Sequence, residues 1–250
     1  LLTELISKLP YDHPARMNYK SIEIAPEKTY SSILSTLQSK LGKFDSKEIA
    51  ELTSTDTINF EDIGNKKTAV YVISSDTHTA YDFLLTIFFS QMIQQLYDYA
   101  DQNGGRLKEQ TFFILDEFAN IGKIPDFDKK ISTSRSRKIS FSVILQNIDQ
   151  LEAVYEKSYE TIMGNCDTHV FLGSNSFKTV EYFSKALGEK TIGRDSVSVN
   201  KDKKNHKTGK SVSDQVMARA LMTPDELRRL DNNLCIIFEK LRLLFFFRFF

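Results

Sequence analysis

Apolar and polar positions alternate along the chain in two rhythms, and the change between them divides it. Up to about residue 57 the rhythm is helical on a polar background. "EKTYSSILSTLQSKL" places Ile33, Leu34, Leu37 and Leu41 on one stripe, and "SKEIAELT" resumes it after Gly42. "KKTAVYVISSD", Lys66 to Asp76, is a short β-branched and aromatic run bounded by polar residues and reads as a buried strand. "TAYDFLLTIFFSQMIQQLYDYADQ" reads as a long helix apolar enough to be covered on more than one face, and Asn103-Gly104-Gly105 ends it. Strands over Thr111 to Asp116, Ile139 to Leu145 and Thr168 to Leu172 then alternate with helices over Phe127 to Ser134, Asp149 to Met163 and Ser176 to Leu187. Strand followed by helix at this spacing predicts βαβ crossovers and a parallel sheet covered on both faces. After Gly188 the pattern becomes that of a hairpin around the basic tip Lys201 to Lys210, then a capped short helix, "TPDELRRL", and a last strand, "NLCIIFEK".

Composition adds little to this picture. The 250 residues are 41% hydrophobic, enough for a real core in one large or two ordinary domains. Lys and Arg (33) balance Asp and Glu (33), so no net positive field argues for nucleic acid, and only local basic loops remain for that role. Cys166 and Cys235 stand far apart and His13, His78, His169 and His206 are scattered, which suggests neither a disulfide framework nor zinc and makes a reducing cytoplasm the expectation. The opening residues show no signal-peptide core and no run reaches the length of a membrane span. With no initiator methionine, the chain reads as a piece of something longer. Its end, "LRLLFFFRFF", reads either as a truncation or frameshift scar or as an edge strand.

The chemistry gathers at "TFFILDEFANIG". An apolar strand there ends in Asp116 and Glu117, and a carboxylate in a buried setting is costly unless it is paired or holds a metal. Ligands of open parallel sheets sit at the carboxyl ends of the strands, so Asp76, Asp116 and Glu117 are expected on one rim. A hydrophobic strand followed by Asp-Glu is how P-loop ATPases hold magnesium on the first acid, usually through its water, and polarise the attacking water with the second. The same acids also suit a strand-to-helix junction where they cap helix amides, and the residues alone leave both readings open. The following strand ends in Gln146-Asn147, amides where a γ-phosphate sensor would sit. Just before that strand, "STSRSRK" offers Arg135 and Arg137, each a solvated charge or a finger reaching a neighbouring subunit's nucleotide.

"FILDEFANIGKIPDF", followed by "SRSRKISFSVILQNIDQLEAVYEKSYETIMGNCDTHVFLGSNSFKTVEYFSKALGEKTI", resembles the motor domain of conjugative coupling proteins of the TraG/TraD type. The resemblance runs from roughly Ile58 to Lys240, includes Gly122-Lys123-Ile124-Pro125, and ends in "ALMTPDELRRLDNNLCIIFEK", similar to the family's closing helix and strand. It implies an α/β, RecA-like P-loop NTPase motor domain over residues 58–240, with a mainly parallel sheet covered by helices. Residues 1–57 would be the C-terminal part of an all-α insertion domain that contacts relaxosome and DNA, and 241–250 an atypical tail. It also implies ATP and Mg2+ as cofactors: Asp116 for magnesium through water, Glu117 for water activation, Arg135 as arginine finger and Gln146 as γ-phosphate sensor. Asn165 to Asp167 match a family motif with no side-chain role assigned. The implied partners are single-stranded DNA, relaxase or relaxosome, type IV secretion channel proteins and further copies of the chain in a hexamer. The implied location is the cytoplasmic face of the bacterial membrane, through an N-terminal anchor.

Two departures bear on those expectations. No G-x-x-x-x-G-K-[ST] loop occurs: Gly42, Gly122 and Gly209 are each followed by Lys without the rest of the pattern. In the family that loop and the anchor lie upstream of the helical insertion, so this chain alone is expected to bind ATP poorly and hydrolyse little. After Lys240 the family continues through glycine and proline, and here the phenylalanine-rich tail follows. The alternatives from other classes are a chromosome-partition or DNA-packaging ring motor, and a non-catalytic nucleotide-fold module that binds proteins.

Overall fold

A computed structural model describes residues 2–74, 81–201, 208–239 and 242–248. They fall into two compact units, residues 1–59 and 60–250.

The first unit is helical: α1 (Leu2–Ser7), α2 (Pro14–Glu23), α3 (Glu27–Leu41) and α4 (Lys47–Thr53). Local chemistry sets these ends. Pro14 opens α2 at a position where its missing N–H costs nothing, and the Ser46 hydroxyl accepts the Ile49 N–H at the start of α4. Tyr19 and Ile49 are buried, whereas α3 buries no residue of its stripe, and Leu37 and Leu41 are exposed.

The second unit begins with α5 (Phe60–Asn65) and the long α6 (Asp82–Gln102), which ends where Gly104 and Gly105 take positive φ and Gly105 N–H bonds back to Ala100 O. The expected strand over Lys66 to Asp76 is not formed in the described part of that segment. Residues 67–74 are neither helix nor strand, and Tyr71 and Ile73 are 88% and 93% exposed. An apolar run becomes a strand only where a neighbouring backbone takes up its N–H and C=O groups, and no described strand does so here. Asp76 lies outside the described residues.

From Thr111 the expected alternation is present. β1 (Thr111–Leu115), α7 (Phe127–Thr133), β2 (Ile139–Val143), α8 (Ile148–Tyr155), α9 (Ser158–Gly164), β3 (Thr168–Phe171) and α10 (Phe177–Leu187) follow one another. β1 and β2 pair in parallel, Thr111 opposite Ile139 through Leu115 opposite Val143. The one helix expected over Asp149 to Met163 is two, because Glu156 takes φ +50 between α8 and α9. β3 pairs antiparallel with β6 (Leu234–Glu239), and β7 (Arg242–Arg248), within the tail, pairs antiparallel with β6 in turn. The hairpin is β4 (Glu189–Lys201) and β5 (Thr208–Ala220), paired from Glu189 with Ala220 to Lys201 with Thr208; the centre of its basic tip, residues 202–207, lies outside the described residues. α11 (Pro224–Arg228) carries the capping box its sequence announces, between Thr223 and Glu226.

The core under the parallel pair is built by α6, whose Met92, Ile93, Leu96, Tyr97 and Ala100 form one buried stripe rather than a helix buried all round. They pack against Phe113, Leu115 and Ile139 of the sheet and against Phe118, Ile121, Phe127, Leu151 and Tyr155 beyond it. On the other face Phe112 and Ile114 are 68% and 73% exposed among the described residues. A second cluster, Phe171, Val180, Phe183, Leu227, Ile236 and Phe238, joins β3, α10, α11 and β6.

Candidate functional site

Parallel pairing puts the ends of β1 and β2 on the same rim, and the ladder continues one step past the strands. Ile144 N–H donates to Leu115 O at 3.0 Å and Phe118 N–H donates to Ile144 O at 3.1 Å. These two bonds hold Ile144 beside the Asp116–Glu117 step, so the acids and the segment after β2 share one rim. Both acids are exposed, so the apolar run delivers them to an open rim rather than burying them.

The turn that presents them is strained and well anchored. Glu117 adopts the left-handed conformation, φ 49 and ψ 43, which costs a non-glycine residue about 1–2 kcal/mol. It leads into a short 3₁₀ turn, Phe118–Ile121, whose Phe118 and Ile121 are 0% and 7% exposed. Phe118 stacks on Tyr155 with ring centroids 5.4 Å apart. Burial of two such side chains, worth about 1.5–3 kcal/mol each, offsets the backbone strain.

The segment after the turn explains the Gly122 to Pro125 wording. Gly122 has φ +85, and a Cβ there would stand 2.6 Å from the Thr86 hydroxyl oxygen. That hydroxyl donates to Ile121 O, tying the turn to α6. The Tyr155 hydroxyl accepts the Ile124 N–H at 3.1 Å and donates to Gly122 O at 3.5 Å, tying it to α8. Burial pushes the Tyr155 phenol up to about 12, so at neutral pH it is the uncharged donor and acceptor these bonds need.

Of the residues expected to act together, Glu117 and Gln146 are in direct contact. Gln146 Nε2 donates to Glu117 Oε1 at 2.8 Å, and Asn120 Nδ2 donates to Glu117 Oε2 at 3.0 Å. Gln150 Nε2 reaches Gln146 Oε1 at 3.4 Å from the first turn of α8. Asn147 acts elsewhere, its Oδ1 accepting the Gln150 N–H and capping α8. Asp116 Oδ1 accepts the Glu117 N–H at 3.1 Å. Neither acid accepts an N–H from inside a following helix, and the short turn that Glu117 opens has no side-chain cap, so the capping alternative has no geometric support.

The two arginines part company. Arg137 donates to both carboxylate oxygens of Asp101, at 2.9 and 3.0 Å, and its guanidinium lies 4.8 Å from the centroid of the Tyr97 ring. Arg135 has an 85% exposed side chain and a long ion pair, 3.9 Å, to Asp167. Such an exposed pair contributes at most about 1 kcal/mol and leaves the guanidinium available. Arg135 precedes β2 and Gln146 follows it, and a strand advances about 3.3 Å per residue, so the structure does not bring Arg135 to Asp116 and Glu117 of its own chain. In the Asn165 to Asp167 stretch, Asn165 closes α9 by donating to Thr161 O, and Asp167 is the partner of Arg135. Burial, with Asp167 beside it, pushes the Cys166 thiol up and away from thiolate chemistry.

The donor set fits magnesium held mostly by water and phosphate. Asp116 offers an exposed hard oxygen at the rim, and the described residues contain no cluster of three or more His, Cys, Asp or Glu that would close a protein cage around an ion. No described helix is long and apolar enough to cross a membrane.

Comparison with known proteins identifies the family and the fold. The family model described as type IV secretory system conjugative DNA transfer matches residues 2–242. Protein VirD4 of Agrobacterium fabrum is 27% identical over 191 residues, 75% of this chain and 28% of that protein. The conjugal transfer protein TraG of Escherichia coli is 25% identical over 238 residues, 88% of this chain and 37% of that protein. The chain thus spans about a third of the length of these relatives. Among solved structures, the conjugative coupling protein TrwBdeltaN70 in complex with sulphate superposes with a TM-score of 0.67 at 16% identity, over 90% of this chain and 50% of that one. TrwB in complex with ADP and Mg2+ superposes with a TM-score of 0.63 at 16% identity, over 85% and 47%. At that identity the likeness establishes the RecA-like α/β fold.

Proposed function

The chain belongs to the type IV secretory system conjugative DNA transfer family, and from that membership we propose that it is the catalytic-rim portion of an ATP-driven coupling protein of the TraG/TraD type. The observation that carries the reading is the contact between Glu117 and Gln146 at the adjoining ends of two parallel strands.

In this reading Asp116 would hold magnesium through its water, and the ion would supply neutralisation of phosphate charge. Glu117 orients and deprotonates the attacking water. Gln146, one hydrogen bond away, recognises the γ-phosphate, so that Glu117 is addressed when nucleotide is in place. Arg135, exposed and at the opposite end of β2 from Gln146, serves the nucleotide of a neighbouring copy in a hexamer, while Arg137 is a structural residue. Residues 1–57 are the C-terminal part of an all-α insertion domain, residues 58–240 the motor, and 241–250 an atypical tail. The substrate moved is single-stranded DNA bound to a relaxase, delivered to a type IV secretion channel at the cytoplasmic face of the membrane. Such phosphate contacts are blind to sequence and sensitive to salt.

The test uses the complete protein that carries this chain, with ATP turnover measured with and without single-stranded DNA. Glu117→Gln is expected to remove turnover by a factor on the order of 10² or more, as loss of a general base does, with Mg-ATP binding retained. Unchanged turnover in that variant would show the assignment to be wrong. Undiminished transfer of a conjugative element from cells lacking the protein would remove the coupling role and leave the partition or packaging motor.

A further inference from the structure

We infer that Asn120 is a positioning residue for the Glu117 carboxylate, a role that rests on the reading of Glu117 as the water-polarising group. Nothing in the order "DEFAN" announces it, because an asparagine three residues beyond an acid is ordinary turn chemistry. The backbone makes the difference. With Glu117 left-handed, the next residues close a 3₁₀ turn, and in that geometry positions three apart lie one above the other. Phe118 and Ile121 take the inward side and are buried; Glu117 and Asn120 share the outward side, both exposed. The Asn120 N–H donates to Glu117 O at 2.7 Å, fixing the turn, and its side-chain amide then meets Oε2 at 3.0 Å.

The carboxylate is therefore gripped on each oxygen by a different amide, and the two grips have different anchors. Gln146 reaches Oε1 from the end of β2, whereas Asn120 reaches Oε2 from the acid's own turn. Glutamate is long and freely rotating, and an exposed one ordinarily has no fixed carboxylate plane. When Gln146 turns toward a phosphate it gives up Oε1, which becomes the oxygen that accepts the proton of water. Asn120 keeps Oε2 and so keeps the plane. A turn-forming asparagine would satisfy itself on backbone groups; here its Nδ2 goes to the side chain of the acid.

The test compares Asn120→Ala and Asn120→Asp with Glu117→Gln in the complete protein. Asn120→Ala is expected to lower kcat on the order of tenfold, the weight of one hydrogen bond to a charged group, with KM for Mg-ATP within about twofold. Asn120→Asp keeps the shape of the side chain but sets a carboxylate against Glu117, and should lower kcat further than Ala; a residue needed only for shape would give parental turnover. In the nucleotide-free protein with labelled Asn and Gln side chains, the Asn120 and Gln146 amide resonances should both move in Glu117→Ala. An Asn120 resonance that stays put, or Asn120→Asp at parental kcat while Glu117→Gln is inactive, overturns the role of Asn120 alone. Parental turnover in Glu117→Gln overturns the reading beneath it.

Discussion

At the scale of single residues, chemically equivalent side chains are separated by what surrounds them. Arg135 and Arg137 are two residues apart and indistinguishable in "SRSRK". Arg137, 22% exposed in its side chain, is fixed by a forked contact to Asp101 and by the Tyr97 face, and its removal leaves Asp101 and a ring in the core edge without their partner. Arg137→Ala is expected to lower unfolding free energy by about 1–2 kcal/mol, read as a shift in urea midpoint. Arg135→Ala should leave that midpoint within about 0.5 kcal/mol, since its 3.9 Å pair to Asp167 is exposed on both sides. An equal stability loss in the two variants would contradict the division of roles. Sequence singled out Asp116, Glu117, Gln146 and both arginines because each stands beside the end of a periodic segment, and the structure brings Glu117 and Gln146 into contact. It did not carry the reach of Asn120, which depends on one left-handed residue that no glycine marks.

At the scale of elements, what was readable was whatever local chemistry decides. The stripe of α6, the glycines after it, the Ser176 cap of α10 and the Thr223 to Glu226 box sit where periodicity and capping put them. What escaped depended on partners or on unmarked backbone. The 67–74 run has strand composition but no paired neighbour among the described residues. The break at Glu156, φ +50, occurs in "YEKSY" without glycine or proline, so periodicity continues through it. The antiparallel pairing of β3 with β6 joins segments some sixty residues apart, which no local pattern encodes. The turn after β1 is where element geometry and chemistry meet. Gly122→Ala adds a Cβ at φ +85 and within 2.6 Å of the Thr86 hydroxyl, and should cost about 1–3 kcal/mol. Adding Thr86→Ala should recover only part of the loss, because the steric contact goes but the backbone strain stays and the bond to Ile121 O is lost. Full recovery in urea unfolding would mean that the contact alone, not φ, makes glycine necessary.

At the scale of the whole molecule, the arginine finger proposed for Arg135 requires more than one copy. Glu117 and Gln146 stand at one end of the parallel strands, and Arg135 stands before the start of β2, exposed and loosely held. If Arg135 completes a site, the site belongs to another copy, as closed rings with head-to-tail interfaces allow. Subunit mixing separates this from action within one chain. Arg135→Ala and Glu117→Gln rings are each expected to be inactive. In a ring mixed at equal amounts, a site forms wherever a subunit with an intact acid meets a neighbour with an intact arginine on the correct side. Random assembly makes about one interface in four of that kind, so turnover should return to about a quarter of the parental rate. If Arg135 acted on its own chain, no mixed ring would contain a complete site, and turnover would remain at the level of the two variants apart. The measurement needs only subunit exchange and an ATP assay, and its outcome does not depend on the identity of the proposed cargo.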